Sequence, residues 1–180
     1  MAAAGLSDRV EIRLLDYRDL TGRFDHVVSI EMFEAVGYEY YDSFFQAIDR
    51  VLAPGGRVFL QTITVPDAGF AAYRSRSDWI RRHVFPGSLL ASIGEIRRSL
   101  ARATRLEVRD IREIGPDYAR TLRAWRARFH DRLREARALG FEERFLRLWD
   151  YYLASCEAGF ASGVIGNAQL LMGRPAEETR

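Results

Sequence analysis

The hydrophobic pattern of residues 1–64 predicts two strands, a helix and a third strand. Residues 10–16 alternate into a short apolar run, and residues 24–30 form a near-continuous β-branched run, so both segments predict central strands of a buried sheet. Apolar side chains then recur at helical spacing over residues 39–52, which predicts an amphipathic helix that Pro54-Gly55-Gly56 ends. Residues 57–64 (RVFLQTIT) are again β-branched and apolar. Two strands joined by a helical crossover are typical of a parallel α/β sheet.

The remainder of the chain continues this alternation of helices and strands. The same criteria predict helices at 79–80, 92–103, 115–139 and 145–160, and strands at 106–114 and 165–172. Pro116 and Asp117 suit a first helical turn, where a missing N–H is harmless and a carboxylate interacts favourably with the helix dipole. The sequence therefore predicts an α/β fold with a mostly parallel sheet and flanking helices.

The composition is that of one globular domain and offers no metal site. The chain has 180 residues, of which 48% are hydrophobic and 29% are charged, and this length can bury a full core without a disulfide or a metal. The single cysteine, Cys156, falls on an apolar helical stripe, which favours a small buried hydrophobic residue. No Cys/His cluster supplies the ligands of a zinc site, so we expect no bound metal.

The charges exclude two kinds of chemistry. All 27 Lys+Arg residues are arginine, against 25 acidic residues, for a net charge of +2. Without lysine, the chain can form no Schiff base and has no P-loop lysine. Basic and acidic residues are interleaved, which argues against a nucleic-acid partner. The first residues lack the basic region of a signal peptide, and no apolar run reaches the length of a membrane span, so we expect a cytoplasmic protein.

Two carboxylates follow the predicted strand 24–30. Glu31 and Glu34 would lie at the carboxyl edge of the sheet, where open α/β sheets bind ligands. Their spacing of three residues would allow them to share one face of a helical turn. From spacing alone, solvated loop carboxylates are the alternative interpretation.

Several separated motifs resemble one enzyme family. They are LLDYRDLTGRFDHVVSIEMFEAVG (14–37), LAPGGRVFLQTIT (52–64), FPG (85–87), GPDYARTLRAWRARF (115–129) and YYLASCEAGF (151–160). In this order and over nearly the whole chain, they resemble the cyclopropane-fatty-acyl-phospholipid synthase family, which includes the mycolic acid cyclopropane synthases. The resemblance implies a Rossmann-like class I methyltransferase fold that uses S-adenosylmethionine. It also implies action on cis double bonds of phospholipid acyl chains, met at the inner membrane surface, with bicarbonate as the base that allows the ring to close.

The resemblance also implies site residues. Glu34, in the FE-x-x-G motif, would be the bicarbonate-binding glutamate, and Tyr118, in DY-x-x-TL, the active-site tyrosine. Gln61 stands where many members have a histidine, and its amide can still donate a hydrogen bond to bicarbonate. Ile63 would offer its backbone carbonyl or amide nearby.

Three further residues would bind the cofactor. By similarity, Tyr17, after Asp16, would lie against the adenine, and Ile30 would line the methionine end of the pocket.

The front of the chain departs from the family pattern. The Gly-rich loop after the family's first strand and the acidic residue after its second are absent, so we expect an N-terminally truncated domain over residues 1–174. Its first strand would then expose an unpaired edge. At the other end of the chain, the polar tail would be frayed from Arg174 onwards, and residues 175–180 would lie outside the domain. Two alternatives remain open: a related lipid or amine methyltransferase without ring closure, and a catalytically inactive remnant.

Overall fold

The computed structural model describes residues 5–175, in which four strands form one sheet flanked by helices. The strands are β1 (Phe24–Ile30), β2 (Leu52–Thr64), β3 (Glu107–Glu113) and β4 (Gly166–Gly173). The helices are α1 (Tyr41–Val51), α2 (Asp67–Arg74), α3 (Trp79–His83), α4 (Ile93–Ala103), α5 (Gly115–Asp131), α6 (Leu133–Ala138) and α7 (Glu143–Ala161). The predicted α/β class is confirmed.

The sheet is mixed, with the strand order β1-β2-β4-β3. β1 and β2, joined through α1, are parallel, and Ile30 lies opposite Gln61. β4 pairs antiparallel with both β2 and β3. One of the three pairings is thus parallel, a smaller share than the sequence pattern predicted.

One face of the sheet carries the main core. The even-numbered residues Val58 and Leu60 of β2 and Ala168, Leu170 and Met172 of β4 are fully buried against α1 and α4. The predicted helical spacing in α1 holds, since its buried side chains are Tyr41, Phe44, Phe45, Ala47, Ile48 and Val51. The turn Phe33–Ala35, a short 3₁₀ helix, joins this core through Phe33. The centroid of the Phe33 ring lies 4.3 to 5.2 Å from the ring centroids of Tyr41, Phe44 and Phe45.

Helices α5 and α7 pack together in a second core. Its buried residues are Ala119, Leu122, Leu153, Cys156 and Phe160, with the odd-numbered Ile63 of β2 packed against them. The predicted helix 115–139 is divided at Arg132 into α5 and α6, because Arg132 leaves helical geometry with φ −107° and ψ 11°. None of the helices in residues 5–175 combines the length and the apolar character of a membrane span.

The prediction of a central strand over residues 10–16 is wrong. These residues form no strand, and Ile12 and Leu14 are 77% and 107% exposed. β1 is a strand as predicted, but it lies at the edge of the sheet, where Val28 is 61% exposed. A strand needs a hydrogen-bonded neighbour, and within residues 5–175 only β2 pairs with β1.

Two predicted boundaries also shift. Pro54-Gly55-Gly56, predicted as the end of a helix, lies within the bounds of β2, at an irregularity where the pairing passes from Phe24–Leu52 to His26–Arg57. Arg174, predicted to be frayed, donates a hydrogen bond of 2.8 Å to the Asp49 carboxylate and a second of 2.6 Å to the Asp49 carbonyl. Of the tail predicted over residues 175–180, residues 176–180 lie outside the described residues.

The packing of Phe33 predicts a large effect on stability. Phe33→Ala should lower the free energy of unfolding by about 3–5 kcal/mol, because it removes a fully buried ring and leaves a cavity among three aromatic side chains. Urea denaturation measures this loss. Phe141→Ala, at a ring that is 45% exposed, serves as the control and should cost about 1 kcal/mol or less. Equal losses in the two variants would contradict the anchoring role of Phe33.

Candidate active site

The candidate site lies where β1 and β2 end side by side. Because these strands are parallel, their carboxyl ends meet at one edge of the sheet. Glu31 follows β1 directly, and its backbone N–H donates to the Gln61 carbonyl at 3.0 Å. Glu34 lies one turn further, and Gln61 and Ile63 occupy the end of β2. Three of the four predicted catalytic residues therefore meet at this edge.

Glu34 is held by one of its two carboxylate oxygens. Its Oε1 accepts a hydrogen bond from the Ile63 backbone N–H at 2.5 Å and another from the Thr62 hydroxyl at 2.7 Å. Its backbone carbonyl accepts from the Leu89 N–H at 2.9 Å, which fixes the turn. Oε2 is buried and has no hydrogen-bond partner among residues 5–175. A buried carboxylate oxygen without a donor is costly, so this atom is available to a ligand.

Burial raises the pKa of the Glu34 carboxyl. The hydrogen bonds from Ile63 and Thr62 offset part of this shift, and the nearby charge of Glu31 adds to it. Glu34 therefore retains a proton to a higher pH than an exposed glutamate does.

Glu31 is the centre of a network of side-chain amides. Its Oε1 accepts from Gln61 Nε2 at 3.0 Å and from Asn167 Nδ2 at 2.6 Å. Gln169 Nε2 in turn donates to Gln61 Oε1 at 2.9 Å. We call Gln61, Asn167 and Gln169 the amide network. Gln61, expected to donate towards bicarbonate, donates one of the two N–H groups of its amide to Glu31.

Tyr118 comes to the same site from α5. Burial raises the pKa of the Tyr118 hydroxyl to about 12, and the charges of Glu31 and Glu34 contribute to this shift. Its ring packs against Phe160 of α7, with 4.9 Å between the ring centroids. Tyr118 is therefore a protonated hydroxyl within electrostatic reach of both carboxylates at neutral pH.

A cavity of about 790 Å³ opens from the two glutamates. Its walls are mostly apolar and come from the end of β2, α3, the segment 84–90, α7 and residues 164–165, and Asp78 and Arg81 also line it. Cys156 lines it, and burial raises the pKa of this thiol to about 11, so it is neutral and agrees with its interpretation as a small hydrophobic residue. The volume lies within the range of about 300–1,000 Å³ that is usual for ligand pockets.

The three predicted cofactor residues lie outside this cavity. Asp16 caps the 3₁₀ turn Tyr17–Asp19, and hydrogen bonds of 2.7 to 2.9 Å from Arg18 lower the pKa of its carboxyl to about 2. The Tyr17 ring packs edge-on against Phe44, with 5.5 Å between the centroids. Ile30, at the end of β1, is 57% exposed. Through Phe44, which also touches Phe33, Tyr17 joins the aromatic cluster that supports the glutamates.

Sequence reasoning found Gln61 and Ile63 but missed the part of the amide network around Glu31 that β4 supplies. Asn167 and Gln169 lie two apart in the apolar strand β4, opposite Ile63 and Gln61 of β2. Asn167 is fully buried, and its Oδ1 has no hydrogen-bond partner among the described residues. Polar residues at alternate positions of an apolar strand were the available signal, since they share one face of the sheet.

Comparisons with known proteins agree on one family. The family model for mycolic acid cyclopropane synthetase matches residues 1–170. The tuberculostearic acid methyltransferase of Mycobacterium tuberculosis is 46% identical over 92% of this chain and 39% of its own length. The cyclopropane-fatty-acyl-phospholipid synthase of Escherichia coli is 37% identical over 93% of this chain and 42% of its own length. The chain thus spans about two fifths of the length of these curated relatives.

Solved structures agree as well. A mycolic acid cyclopropane synthase, solved in complex with SAH and CTAB, superposes with a TM-score of 0.80 and 26% identity. The match covers 94% of this chain and 64% of that protein.

The burial of Glu34 predicts a pH dependence of stability. A carboxyl whose pKa is higher in the folded state binds more protons there than in the unfolded state, between the ordinary and the raised pKa. Stability therefore falls as the pH rises through this window. Relative to Glu34→Gln, which cannot titrate, the wild type should lose stability as the pH rises through this window, measured by urea denaturation across pH.

The control is Glu39→Gln, a change at an exposed glutamate of the same segment. Its stability should follow the wild-type pH profile. A constant difference between wild type and Glu34→Gln at all pH values would contradict the raised pKa.

Proposed function

Because this chain belongs to the mycolic acid cyclopropane synthetase family, we propose that its protein adds the methyl group of S-adenosylmethionine to a cis double bond in a phospholipid acyl chain, forming a cyclopropane fatty acid. The chain has the Rossmann-like fold of class I methyltransferases, and one curated relative is named an S-adenosylmethionine-dependent methyltransferase. The proposal concerns the lipid substrate, the product and the residues of the site. Its substrate would be met at a membrane surface.

The apolar cavity that ends at two glutamates is the observation that carries this proposal. An acyl chain is apolar along its length, so the walls of the cavity suit it. An alkene that is alkylated gains positive charge and must lose a proton. Glu31 and Glu34, at the end of the cavity, would stabilise that charge.

S-adenosylmethionine, when bound, supplies an electrophilic methyl group. Tyr17 and Ile30 fit such a ligand, because they present partly exposed apolar surface beside the aromatic cluster under the glutamates. Asp16 fits less directly, since Arg18 donates hydrogen bonds to both of its carboxylate oxygens. We propose that Tyr17 contacts the adenine, that Asp16 positions Tyr17 by capping its turn, and that Ile30 borders the methionine end.

Glu34 and Tyr118 are the proposed active-site pair. Glu34 is fixed through Oε1, which leaves the buried Oε2 for the reacting chain or its proton. Tyr118 keeps its proton at neutral pH and can donate a hydrogen bond into the site. The backbone N–H of Ile63 acts by positioning Glu34.

The bicarbonate implied by the sequence resemblance finds partners among these residues. Gln61 Nε2 donates one of its two N–H groups to Glu31 and keeps the second, and Tyr118 keeps its hydroxyl proton at neutral pH. The buried Oε2 of Glu34, which has no hydrogen-bond partner among residues 5–175, would accept the O–H of the anion. When bound, bicarbonate would supply the base for the proton that the alkylated chain loses.

A second candidate is methyl transfer without ring closure. Gln61, in place of the histidine that the family resemblance predicts, is committed to Glu31 and Gln169, which changes the polar surroundings of the reacting chain. The relative of 46% identity is also named a methyltransferase. This candidate shares the cofactor, the cavity and both glutamates with the first and differs only in the product.

The acyl substrate predicts a defined change in lipids. Expression of the full-length protein in a host without such an enzyme should add one CH₂ to unsaturated acyl chains, measured by mass spectrometry. Fragmentation distinguishes a cyclopropane ring from a methyl branch. Glu34→Gln should lower the yield at least about 100-fold, because it removes the carboxylate that would hold the base and stabilise the cation.

Glu39→Gln is the control for this experiment and should give the wild-type yield. Wild-type protein that binds S-adenosylmethionine but leaves the lipids unchanged would contradict the acyl substrate. Loss of cofactor binding as well would favour an inactive remnant.

The cofactor contact predicts a loss of affinity in Tyr17→Ala. Base–aromatic stacking contributes about 1–3 kcal/mol, so the Kd for S-adenosylmethionine should rise about tenfold or more by calorimetry. Tyr40→Ala, at a tyrosine that is 49% exposed, is the matched control and should bind as the wild type does. Equal affinities of Tyr17→Ala and wild type would contradict the assignment.

A further inference from the structure

We propose that Glu31 is a positioning residue that holds the side-chain amide of Gln61 in one orientation, with one of its N–H groups left for a bound anion. The inference deepens the proposed function and rests on it for the identity of that anion, which is bicarbonate. Glu31 would act on the anion through Gln61.

The side chain of Gln61 needs a neighbour that fixes its direction. The oxygen and the nitrogen of an amide occupy similar positions, so half a turn of the group exchanges an acceptor for two donors. An anion binds the N–H side, whereas the carbonyl oxygen repels it. The use of Gln61 as a donor therefore depends on what holds its amide.

Glu31 selects the orientation because a carboxylate only accepts hydrogen bonds. Its Oε1 accepts from Gln61 Nε2 at 3.0 Å. Gln169 Nε2 donates to Gln61 Oε1 at 2.9 Å, but Gln169 is itself an amide and can turn round as well. Of these three side chains, Glu31 is the one whose hydrogen-bonding direction cannot invert.

Two further groups donate to Glu31. Asn167 Nδ2 donates to Oε1 at 2.6 Å, which leaves the fully buried Asn167 Oδ1 without a hydrogen-bond partner among residues 5–175. A buried carbonyl oxygen without a donor is costly, so the bond to Glu31 offsets that cost. A hydrogen bond to Glu31 is also among the causes that raise the pKa of Tyr118 to about 12. Glu31 is thus an acceptor for donors from β2, β4 and α5.

The backbone of Glu31 has an unusual conformation at this contact. Its φ is +56°, and it is the one residue other than glycine with positive φ in the part of the chain that the structure describes. Side chains larger than glycine rarely adopt this region, and the strain is often retained at functional sites. The backbone N–H of Glu31 also donates to the Gln61 carbonyl at 3.0 Å. Backbone and side chain of Glu31 therefore both bind Gln61.

The orientation leaves a donor and an acceptor that match bicarbonate. Within residues 5–175, Gln61 Nε2 makes no hydrogen bond besides the one to Glu31, so its second N–H is free. The buried Oε2 of Glu34 has no partner in the same part of the chain. Bicarbonate can accept from the first group and donate its O–H to the second.

The first test is a bicarbonate titration of the full-length protein with S-adenosylhomocysteine bound, which has no methyl group to transfer. Calorimetry measures the Kd. Glu31→Gln removes a negative charge, and this change alone would strengthen the binding of an anion. Orientation predicts the opposite. Because the new amide can donate or accept, Gln61 can turn round, and the Kd for bicarbonate should rise about tenfold.

The control variant is Glu39→Gln, at an exposed glutamate, which should bind bicarbonate as the wild type does. All variants should bind S-adenosylhomocysteine with wild-type affinity, which shows that they are folded. Glu31→Gly, in which glycine adopts the positive φ without strain, should weaken bicarbonate binding as Glu31→Gln does.

A double-mutant cycle shows whether the effect passes through Gln61. Gln61→Leu has no amide to orient. Adding Glu31→Gln to it should therefore cause no further rise in the Kd for bicarbonate.

Three outcomes overturn the inference while the proposed function stands. They are an unchanged or lower Kd for bicarbonate in Glu31→Gln, an equal rise in Kd with and without Gln61→Leu, and a wild type that binds no bicarbonate. Lipid mass spectrometry decides the proposed function separately. A wild type that passes the binding tests but alkylates no lipid contradicts the proposed function alone.

Discussion

The ring of Phe33 lies among three aromatic rings of α1, and this contact fixes the short segment that carries both glutamates. Backbone hydrogen bonds from Glu31 to Gln61 and from Leu89 to Glu34 hold the two glutamates of this segment, and Phe33 fills the space beside α1 between them. Glu31 and Glu34 lie on either side of this anchor along the chain. The aromatic face of α1 therefore serves the chemistry of the site as well as the stability of the core.

The two glutamates are stabilised in different ways. Glu34 takes its hydrogen bonds from a backbone N–H and a hydroxyl at the end of β2, whereas Glu31 takes them from amides of β2 and β4. Uncharged donors leave both charges largely unneutralised beside an apolar cavity. Such a site favours a bound molecule that is neutral when it enters and becomes positive as it reacts. The apolar walls accommodate the neutral molecule, and the negative charge of the glutamates, strengthened by the low local dielectric, stabilises the positive charge.

The sequence predicts this fold best where one physical signal dominates. The helical periodicity of α1 and the β-branched runs of β1 and β2 locate these elements, and their parallel pairing brings Glu34, Gln61 and Ile63 to one edge. Residues 10–16 have a strand-like pattern but no neighbour to pair with, and pattern alone does not supply a partner. For the same reason, the sequence pattern predicted β1 as a central strand, whereas it lies at the edge of the sheet.

The candidate site was predicted in part for a similar reason. Motifs identified Glu34 and Tyr118 individually, but the commitment of Gln61 to Glu31 depends on Asn167 and Gln169, more than 100 residues away in the chain. Only the antiparallel register of β2 and β4 brings these amides together. When two strands are far apart in the sequence, the register of their pairing decides which side chains meet. Local periodicity does not encode this register.

The exposed outer side of β1 has a consequence for handling the 180-residue chain alone. Val28 and Ile30 present apolar side chains there, and within residues 5–175 the outer N–H and C=O groups of this strand face no neighbouring strand. An apolar edge strand of this kind is a template on which a second copy can add its own β1. Self-association of the isolated chain would then compete with folding as the concentration rises, and charged substitutions at Val28 offer a means of keeping it monomeric.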